Sequence, residues 1–589
     1  MEKMKNTLYT AFGETVLDKL DREDDWIPLS EYPRPQMVRD SYLCLNGWWN
    51  YAIISDGSEI VWDRILVPFS PEAALSTVGR QVFPKDRLLY RRTFFLPEHF
   101  NRGRVLLHFD AVDYKCRITL NGQTAGEHKG GYFAFCIDIT AFLAEVNELA
   151  LEVTDPTDTT YIARGKQRLH RGNIWYTPQS GIWQTVWLES VPENYIESFR
   201  ITPDIDKRQV FLEIESTLSI GSAVIKDGAA TIAQGLITDK KAILNFPDFE
   251  LWSPENPRLY DVEIRVGNDL VKSFTGMRKF SLGKDEDGFT RLFLNNRPYF
   301  HNGVLDQGYY PDGLLTPPSD DAMIYDITAM KDLGFNMLRK HIKIEPLRWY
   351  YHCDRLGMIV WQDMVNGGRN RFMFMNVLSY LKVPVKDSLH FFFGRQENAG
   401  REEYMTDADR TIKHLYNVTS LGMWVPFNES WGQFDADRVG DWVKEKDSSR
   451  TIDRYSGWHD QGHSDFTSLH VYFRSFKVPK SWERRRKRNR EKCLILTEFG
   501  GYSYKEPGHH FINRKDFGYR KFAGKSELSR GYRDLYEKEI IPAMKKGLSA
   551  AVYTQLTDVE DEVNGILTYD RKVLKIDSVR DINKMLEYM

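Results

Sequence analysis

The chain has 589 residues, too many for one hydrophobic core, so about three or four domains of roughly 150 residues each are expected. Its 80 basic and 83 acidic residues leave a formal net charge of -3, which excludes a general electrostatic pull toward nucleic acid or anionic membrane. Five scattered cysteines (Cys44, Cys116, Cys136, Cys353, Cys493) with no Cys-x-x-Cys pair exclude a disulfide framework and a cysteine zinc site, and reduced thiols are expected.

The first residues lack the apolar stretch of about 7 to 15 residues of a secretion signal, and no run of about 18 apolar residues follows. A cytoplasmic enzyme is the expectation. From Leu45 to Val191 short alternating segments are broken by turns, for example Lys115-Cys-Arg-Ile-Thr-Leu followed by Asn121-Gly122, the strongest local hairpin signal. This pattern predicts an antiparallel β-sandwich over residues 1–191. Short strands continue through Gln209-Val-Phe-Leu-Glu-Ile and Tyr260-Asp-Val-Glu-Ile-Arg-Val, in a length that suits an immunoglobulin-like β-sandwich over 192–283.

After Gly283 apolar strands alternate with helical stretches, the signature of parallel βα units. Strands are expected near Tyr299 to Asn302, Asn336 to His341, Met358 to Asp363, Gly422 to Asn428, Asp453 to Ser456, Ser468 to Tyr472, Cys493 to Glu498 and Ala550 to Gln555. Helices are expected at Pro346 to Leu356, Asp435 to Lys446 and Ser578 to Tyr588. Eight strands are the number that closes a TIM (β/α)8 barrel, here assigned to 284–589. The basic run Arg484 to Arg490 lies between acidic neighbours just before a barrel strand and reads as a solvated loop.

Two barrel strands run straight into a carboxylate: Trp424-Val-Pro-Phe-Asn428-Glu429 and Leu494-Ile-Leu-Thr-Glu498-Phe-Gly500. An acid at the end of a strand buried on both faces is costly unless it is satisfied or used. The C-terminal strand ends of such barrels carry the chemistry, and paired carboxylates are the equipment of glycoside hydrolysis. The aromatic content of 13% suits surfaces that stack on sugars.

These residues, together with Leu45-Asn-Gly-Trp-Trp-Asn50, Ser180-Gly-Ile-Trp183-Gln-Thr-Val-Trp187, Gly334-Phe-Asn-Met-Leu-Arg339-Lys-His341 and Cys353-Asp-Arg-Leu-Gly357, resemble glycoside hydrolase family 2, the β-galactosidase, β-glucuronidase and β-mannosidase group. The resemblance covers nearly the whole chain. It implies a sugar-binding jelly roll, an immunoglobulin-like domain and a TIM barrel, with Glu429 as acid/base after the fourth strand, Glu498 as nucleophile after the seventh, and retention of anomeric configuration. It also implies that Asn428 bonds the sugar 2-hydroxyl, that Arg339 and His341 contact sugar and position the nucleophile, and that Tyr472 hydrogen-bonds it. Tyr553 stands near a family tryptophan that floors the sugar site and offers a stacking face, and Asn173 lies in the jelly-roll segment that reaches the active site.

The substrate expected is a small neutral β-glycoside, most of all a β-D-galactoside. Uronate-specific members carry an Asn-x-Lys where this chain has Glu562 and Asn564, and acids there are expected to repel a uronate. No cofactor is expected. Some family members bind magnesium and sodium, but no ligand set matches here, and Asp363 and Glu397 read as surface or packing carboxylates. Assembly into homo-oligomers and an open pocket, the chain ending soon after the last barrel helix, are further expectations from the family.

Overall fold

Asn121 and Gly122 both take left-handed φ, 52° and 78°, and so turn the strand Lys115–Leu120 back onto Gln123–Lys129 as an Asn-Gly pair predicts. In this computed structural model, which describes residues 8–23, 25–55, 58–371, 385–479, 492–511 and 516–587, that hairpin is one edge of a six-stranded antiparallel sheet. The remaining strands, outward from Lys115–Leu120, are Asn147–Thr154, Arg87–Phe94, Gly47–Ile54 and Asp63–Val67. A four-stranded sheet of Leu43–Cys44, Val186–Val191, Arg104–Phe109 and Phe135–Asp138 packs on it. Alternation makes the core: Leu149, Leu151 and Val153 of one sheet meet Val105, Leu107, Val186 and Leu188 of the other. Helix α1 (Ala11–Arg22), capped by Thr10, ties this sandwich to the barrel, because the Thr10 hydroxyl donates to Asp312 at 2.7 Å.

The second domain stacks a three-stranded sheet (Ile196–Asp204, Gln209–Ser216, Lys241–Asn245) on a four-stranded one (Ala230–Ile237, Gly221–Asp227, Tyr260–Val266, Asp269–Thr275). Its core includes Ile201, Leu212, Ile225, Val262 and Ile264, the two-layer packing of an immunoglobulin-like sandwich.

Eight parallel strands form the third domain: β1 (His301–Asp306), β2 (Met337–Lys340), β3 (Ile359–Asp363), β4 (Leu421–Val425), β5 (Thr451–Ile452), β6 (Phe466–Val471), β7 (Cys493–Gly500) and β8 (Leu548–Thr554). Helices α2 (Asp320–Asp332), α3 (Leu347–Leu356), α4 (Asn398–Leu415) and α5 (Ala436–Lys446) follow β1 to β4 in turn. Helix α6 (Lys525–Leu535) leads toward β8 and α7 (Val579–Glu587) follows it. The sheet order is β5-β4-β3-β2-β1-β8-β7-β6. The ladder is therefore a curled sheet, with no strand pairing between β5 and β6 among the described residues.

Several strand bounds differ from expectation, and β5, at Thr451–Ile452, lies wholly before its expected span of Asp453 to Ser456. Strand β4 ends at Val425 rather than Asn428, because Pro426 has no N–H to offer a ladder; pairing resumes only at the single bridge Asn428 to Ser456. Strand β1 begins at His301 rather than Tyr299. A small sheet of Phe280–Lys284, Thr290–Leu294 and Arg297–Pro298 closes the N-terminal end of the barrel. Its Phe280, Leu292 and Leu294 pack onto the interior residues Leu305, Met337, Ile359, Met423, Ile495 and Val552. This leaves the C-terminal ends of the strands as the open face. The basic run Arg484 to Arg490 lies outside the described residues.

Candidate active site

Arg339, near the end of β2, is fully buried and its guanidinium reaches strands β3 and β7 and the turn after β4. Nε donates to Asp363 Oδ1 at 2.9 Å, Nη1 to the Thr497 carbonyl at 3.0 Å and Glu498 Oε1 at 3.2 Å, and Nη2 to Asn428 Oδ1 at 2.7 Å. A planar fork with five donors suits this task where a lysine would not. Because arginine only donates, the oxygen of Asn428 must face it, and the Asn428 amide nitrogen is left as a donor for a ligand.

Glu498 is held from the other side by the Tyr472 hydroxyl, which donates to Oε2. Burial alone would raise the Glu498 pKa, but the charges of His470 and Arg339 outweigh it and hold the carboxyl below the usual glutamate range. Tyr472 is stacked on Tyr519, ring centroids 3.7 Å apart, and its hydroxyl also lies 3.1 Å from Thr554 Oγ1. His341 places Nδ1 2.6 Å from Asp363 Oδ2, while burial and the charge of Lys166 push its pKa well below the ordinary histidine value.

Glu429 and Ser430 both sit at positive φ, 49° and 63°, a conformation that L-residues with side chains adopt at a cost and that collects at functional sites. The turn is pinned by Glu429 N–H donating to the Ser456 carbonyl at 2.9 Å. It directs the Glu429 carboxyl toward His470, whose Nδ1 lies 2.8 Å from Glu429 Oε1 and 3.5 Å from Glu498 Oε2. Thus six of the expected residues converge: Arg339, His341, Asn428, Glu429, Tyr472 and Glu498.

Tyr553 does not join them. It is fully buried in the layer between sheet and helices, edge-on to Phe499 and Tyr532 with centroids 5.8 Å and 5.0 Å apart. Side chains alternate along β8, so Val552 and Thr554 face the barrel interior and Tyr553 faces out. The expected stacking floor is not there. Asn173 is exposed at the tip of a turn, with φ of 54°, and the segment reaches the barrel through other residues. Arg164 and Gly165 both donate backbone N–H to the Asn366 carbonyl at 3.1 Å, Trp175 packs edge-on to Trp431, and the Tyr176 hydroxyl donates to Glu562 Oε2 at 2.5 Å.

Three residues escaped the sequence reading. Asp363, assigned there to surface or packing, is buried and orients both Arg339 and His341. Glu397 does fit a packing role, paired with Arg369 at the start of α4. His470 was passed over as part of a strand, and Lys166 lies in a loop of a different domain. Lys166 makes no ion pair among the described residues, yet its charge is felt by His341, Asp363 and Glu562.

The acidic stretch also differs from expectation. Arg171 lies 3.0 Å from Glu560 and 3.6 Å from Asp561, and Glu562 is buried, hydrogen-bonded by Tyr176 and by Asn564 at 2.9 Å. Burial raises its pKa and the Lys166 charge opposes the rise. These acids are largely satisfied by protein partners and do not stand free to repel a uronate. Glu429, His470 and Glu498 offer donor atoms all within 4.8 Å of one another, a spacing for which the direct contacts of His470 account.

Two carboxylates at the C-terminal ends of parallel strands, steadied by arginine and tyrosine and approached by a loop of a β-sandwich, define a barrel of glycoside hydrolase type. Comparison with known families agrees over most of the chain. Residues 80–192 match "Glycosyl hydrolases family 2, sugar binding domain", 194–278 match "Glycosyl hydrolases family 2" and 290–572 match "Glycosyl hydrolases family 2, TIM barrel domain". The chain belongs to glycoside hydrolase family 2.

Among its relatives, a β-galactosidase of Lactococcus lactis is 27% identical over 510 residues, covering 77% of this chain and 47% of the relative. A β-galactosidase of Photobacterium profundum is 25% identical over 490 residues, 73% of this chain and 44% of the relative. The chain spans less than half the length of the curated relatives it matches. Among solved structures, a β-glucuronidase of Ruminococcus gnavus superposes with a TM-score of 0.74 at 16% identity, over 95% of this chain and 99% of that one. A β-galacturonidase of Eisenbergiella tayi does so with 0.71 at 18%, over 94% and 98%. At that identity the likeness speaks for the fold. No helix among the described residues is long and apolar enough to cross a membrane.

Proposed function

We propose that the protein is a retaining, exo-acting β-glycosidase that hydrolyses terminal non-reducing sugars, with Glu498 as nucleophile and Glu429 as acid/base. The observation that carries this reading is that an oxygen of Glu429 and an oxygen of Glu498 lie within 4.8 Å in one buried site. Carboxyls about 5–5.5 Å apart suit direct attack on the anomeric carbon, whereas an inverting enzyme needs about 6.5–9.5 Å to admit a water between.

The chemistry divides between them. Arg339 and Tyr472 favour the ionised form of Glu498, which attacks the anomeric carbon as the bond to the leaving oxygen breaks and Glu429 gives that oxygen its proton. Glu429 then takes a proton from water as the water displaces Glu498 and frees the sugar. The Asn428 amide nitrogen donates to the sugar 2-hydroxyl, a bond that strengthens as the ring flattens toward an oxocarbenium ion.

β-D-Galactosides lead the list of substrates, followed by other neutral β-glycosides. One observation favours a second reading, a terminal uronic acid: the Lys166 ammonium, 5.6 Å from the centroid of the Trp175 ring and without an ion-pair partner among the described residues, contributes positive charge at His341 and Glu562. A panel of aryl β-glycosides, covering galactoside, glucoside, mannoside, arabinoside, glucuronide and galacturonide, decides among them. At least one is cleaved and Glu498→Gln abolishes its turnover. Wild-type protein that binds sugars but cleaves none of the panel would make this a carbohydrate-binding protein instead.

A further inference from the structure

We propose that His470 is a positioning residue for Glu429, held at the end of a buried hydroxyl chain that starts on Asp453, and that this chain decides where the acid/base proton resides. The proposal rests on the reading of Glu429 as acid/base.

Proton counting carries it. Ser468 Oγ donates to Asp453 Oδ2 at 2.8 Å. A hydroxyl has one proton, so across the 2.8 Å contact of Ser468 with Thr497 the donor is Thr497, whose 3.3 Å contact with the Leu469 carbonyl is the longer alternative. Ser456 then donates to Thr497 Oγ1 at 2.9 Å. Across the remaining 3.1 Å contact, Nε2 of His470 must donate to Ser456. With Nε2 protonated, Nδ1 and Glu429 Oε1, 2.8 Å apart, share one further proton. Should Asp453 take up a proton, each link reverses: Glu429 gives its proton to Nδ1, Nε2 to Ser456, Ser456 to Thr497, Thr497 to Ser468 and Ser468 to Asp453. No proton is lost, and the acid/base is left ionised.

The chain is built for such a role. The His470 side chain is 1% exposed, and Gly457, with φ of 93°, leaves space for the ring, since a Cβ there would come within 2.7 Å of it. Asp453 is fully buried, its Oδ1 has no hydrogen-bond partner among the described residues, and burial pushes its pKa up to about 6. The charged groups that face the imidazole are Glu429 after β4, Asp453 after β5, Glu498 on β7, Arg339 and His341 from β2 and Asp363 from β3. The competing account is structural, because the same chain bridges the unpaired seam between β5 and β6.

The two accounts separate on leaving groups. A dinitrophenyl glycoside departs with little need of a proton, whereas a phenyl glycoside needs one. For His470→Gln, kcat/KM on the phenyl glycoside of the accepted sugar falls by about 100-fold, the lower end of what general acid catalysis supplies, and the dinitrophenyl glycoside changes only a few-fold. For Asp453→Asn, which removes the negative charge that retains the proton on the chain, the alkaline limb of kcat/KM moves to lower pH. Equal losses on both substrates, or an unmoved limb, overturn the proposal. Ser456→Ala keeps the imidazole but removes its Nε2 partner, a hydroxyl that also faces Asp453, and so cuts the chain; it replaces His470→Gln if that variant does not fold. Glu429→Ala runs in parallel. If it discriminates between the substrates while the His470, Ser456 and Asp453 variants do not, only the relay falls. If Glu429→Ala cleaves both normally, the acid/base reading falls and the relay with it.

Discussion

Arg339 and Glu498 meet across the barrel: Nη1 of Arg339, on β2, donates at 3.2 Å to Oε1 of Glu498, on β7, although β1 and β8 stand between their strands in the sheet. The same guanidinium holds Asp363 and Asn428, so one side chain sets the relative positions of three strand ends. Arg339→Lys keeps a charge but not the fork, and kcat/KM is expected to fall about 100-fold as the positioning is lost. In Arg339→Met one of the charges that hold the Glu498 pKa down is gone, so the acid limb of kcat/KM moves to higher pH. Steady-state rates across pH check both.

Tyr553→Ala removes a ring that lines the core behind the barrel rather than the sugar. Truncating a buried aromatic costs about 3–5 kcal/mol, read as a lower denaturant midpoint, while KM of the folded protein is unchanged. A large rise in KM with little change in stability would place the ring back under the sugar.

Lys166→Met tests the second substrate reading. If a uronate is cleaved, losing this cation lowers kcat/KM on the uronide by about 10-fold or more and spares neutral glycosides of the same leaving group. An equal effect on both would assign Lys166 to the docking of its loop.

In the jelly roll, Glu189 accepts from Arg34 at 2.9 Å, Arg39 at 3.1 Å and His108 at 3.0 Å. Burial raises its pKa, but Arg34 and His108 outweigh burial and hold it well below the usual carboxylate range. A depressed folded-state pKa means that the stabilisation is complete above the unfolded value of about 4.3 and is lost as pH falls from there toward the folded value. Melting temperature therefore drops on acidification below about pH 4.3. Glu189→Gln flattens that drop and destabilises the protein at neutral pH by about 1–3 kcal/mol, since the half-buried Arg34 loses its counter-charge while Arg39 keeps Asp269.

Much of this was legible in the chain. Asn121-Gly122 announced its hairpin, and Arg339, Asn428, Glu429, Tyr472 and Glu498 stood at strand ends where periodicity and family likeness placed them. Tyr553 was misread because a strand buried on both faces shows no alternation, so nothing local tells which neighbour points inward. His470 and Asp363 looked ordinary because their meaning lies in contacts with other strands. Lys166 belongs to another domain, and no local pattern ties that loop to the barrel.

Peptide mapping of protein trapped with a slow 2-fluoro glycosyl fluoride of the accepted sugar tests the central assignment most directly. The account predicts one covalent glycosyl adduct, on Glu498, formed at the rate at which activity is lost. Loss of activity with the label on Glu429 or another residue, or full turnover of substrate with no adduct and inverted product, would contradict it.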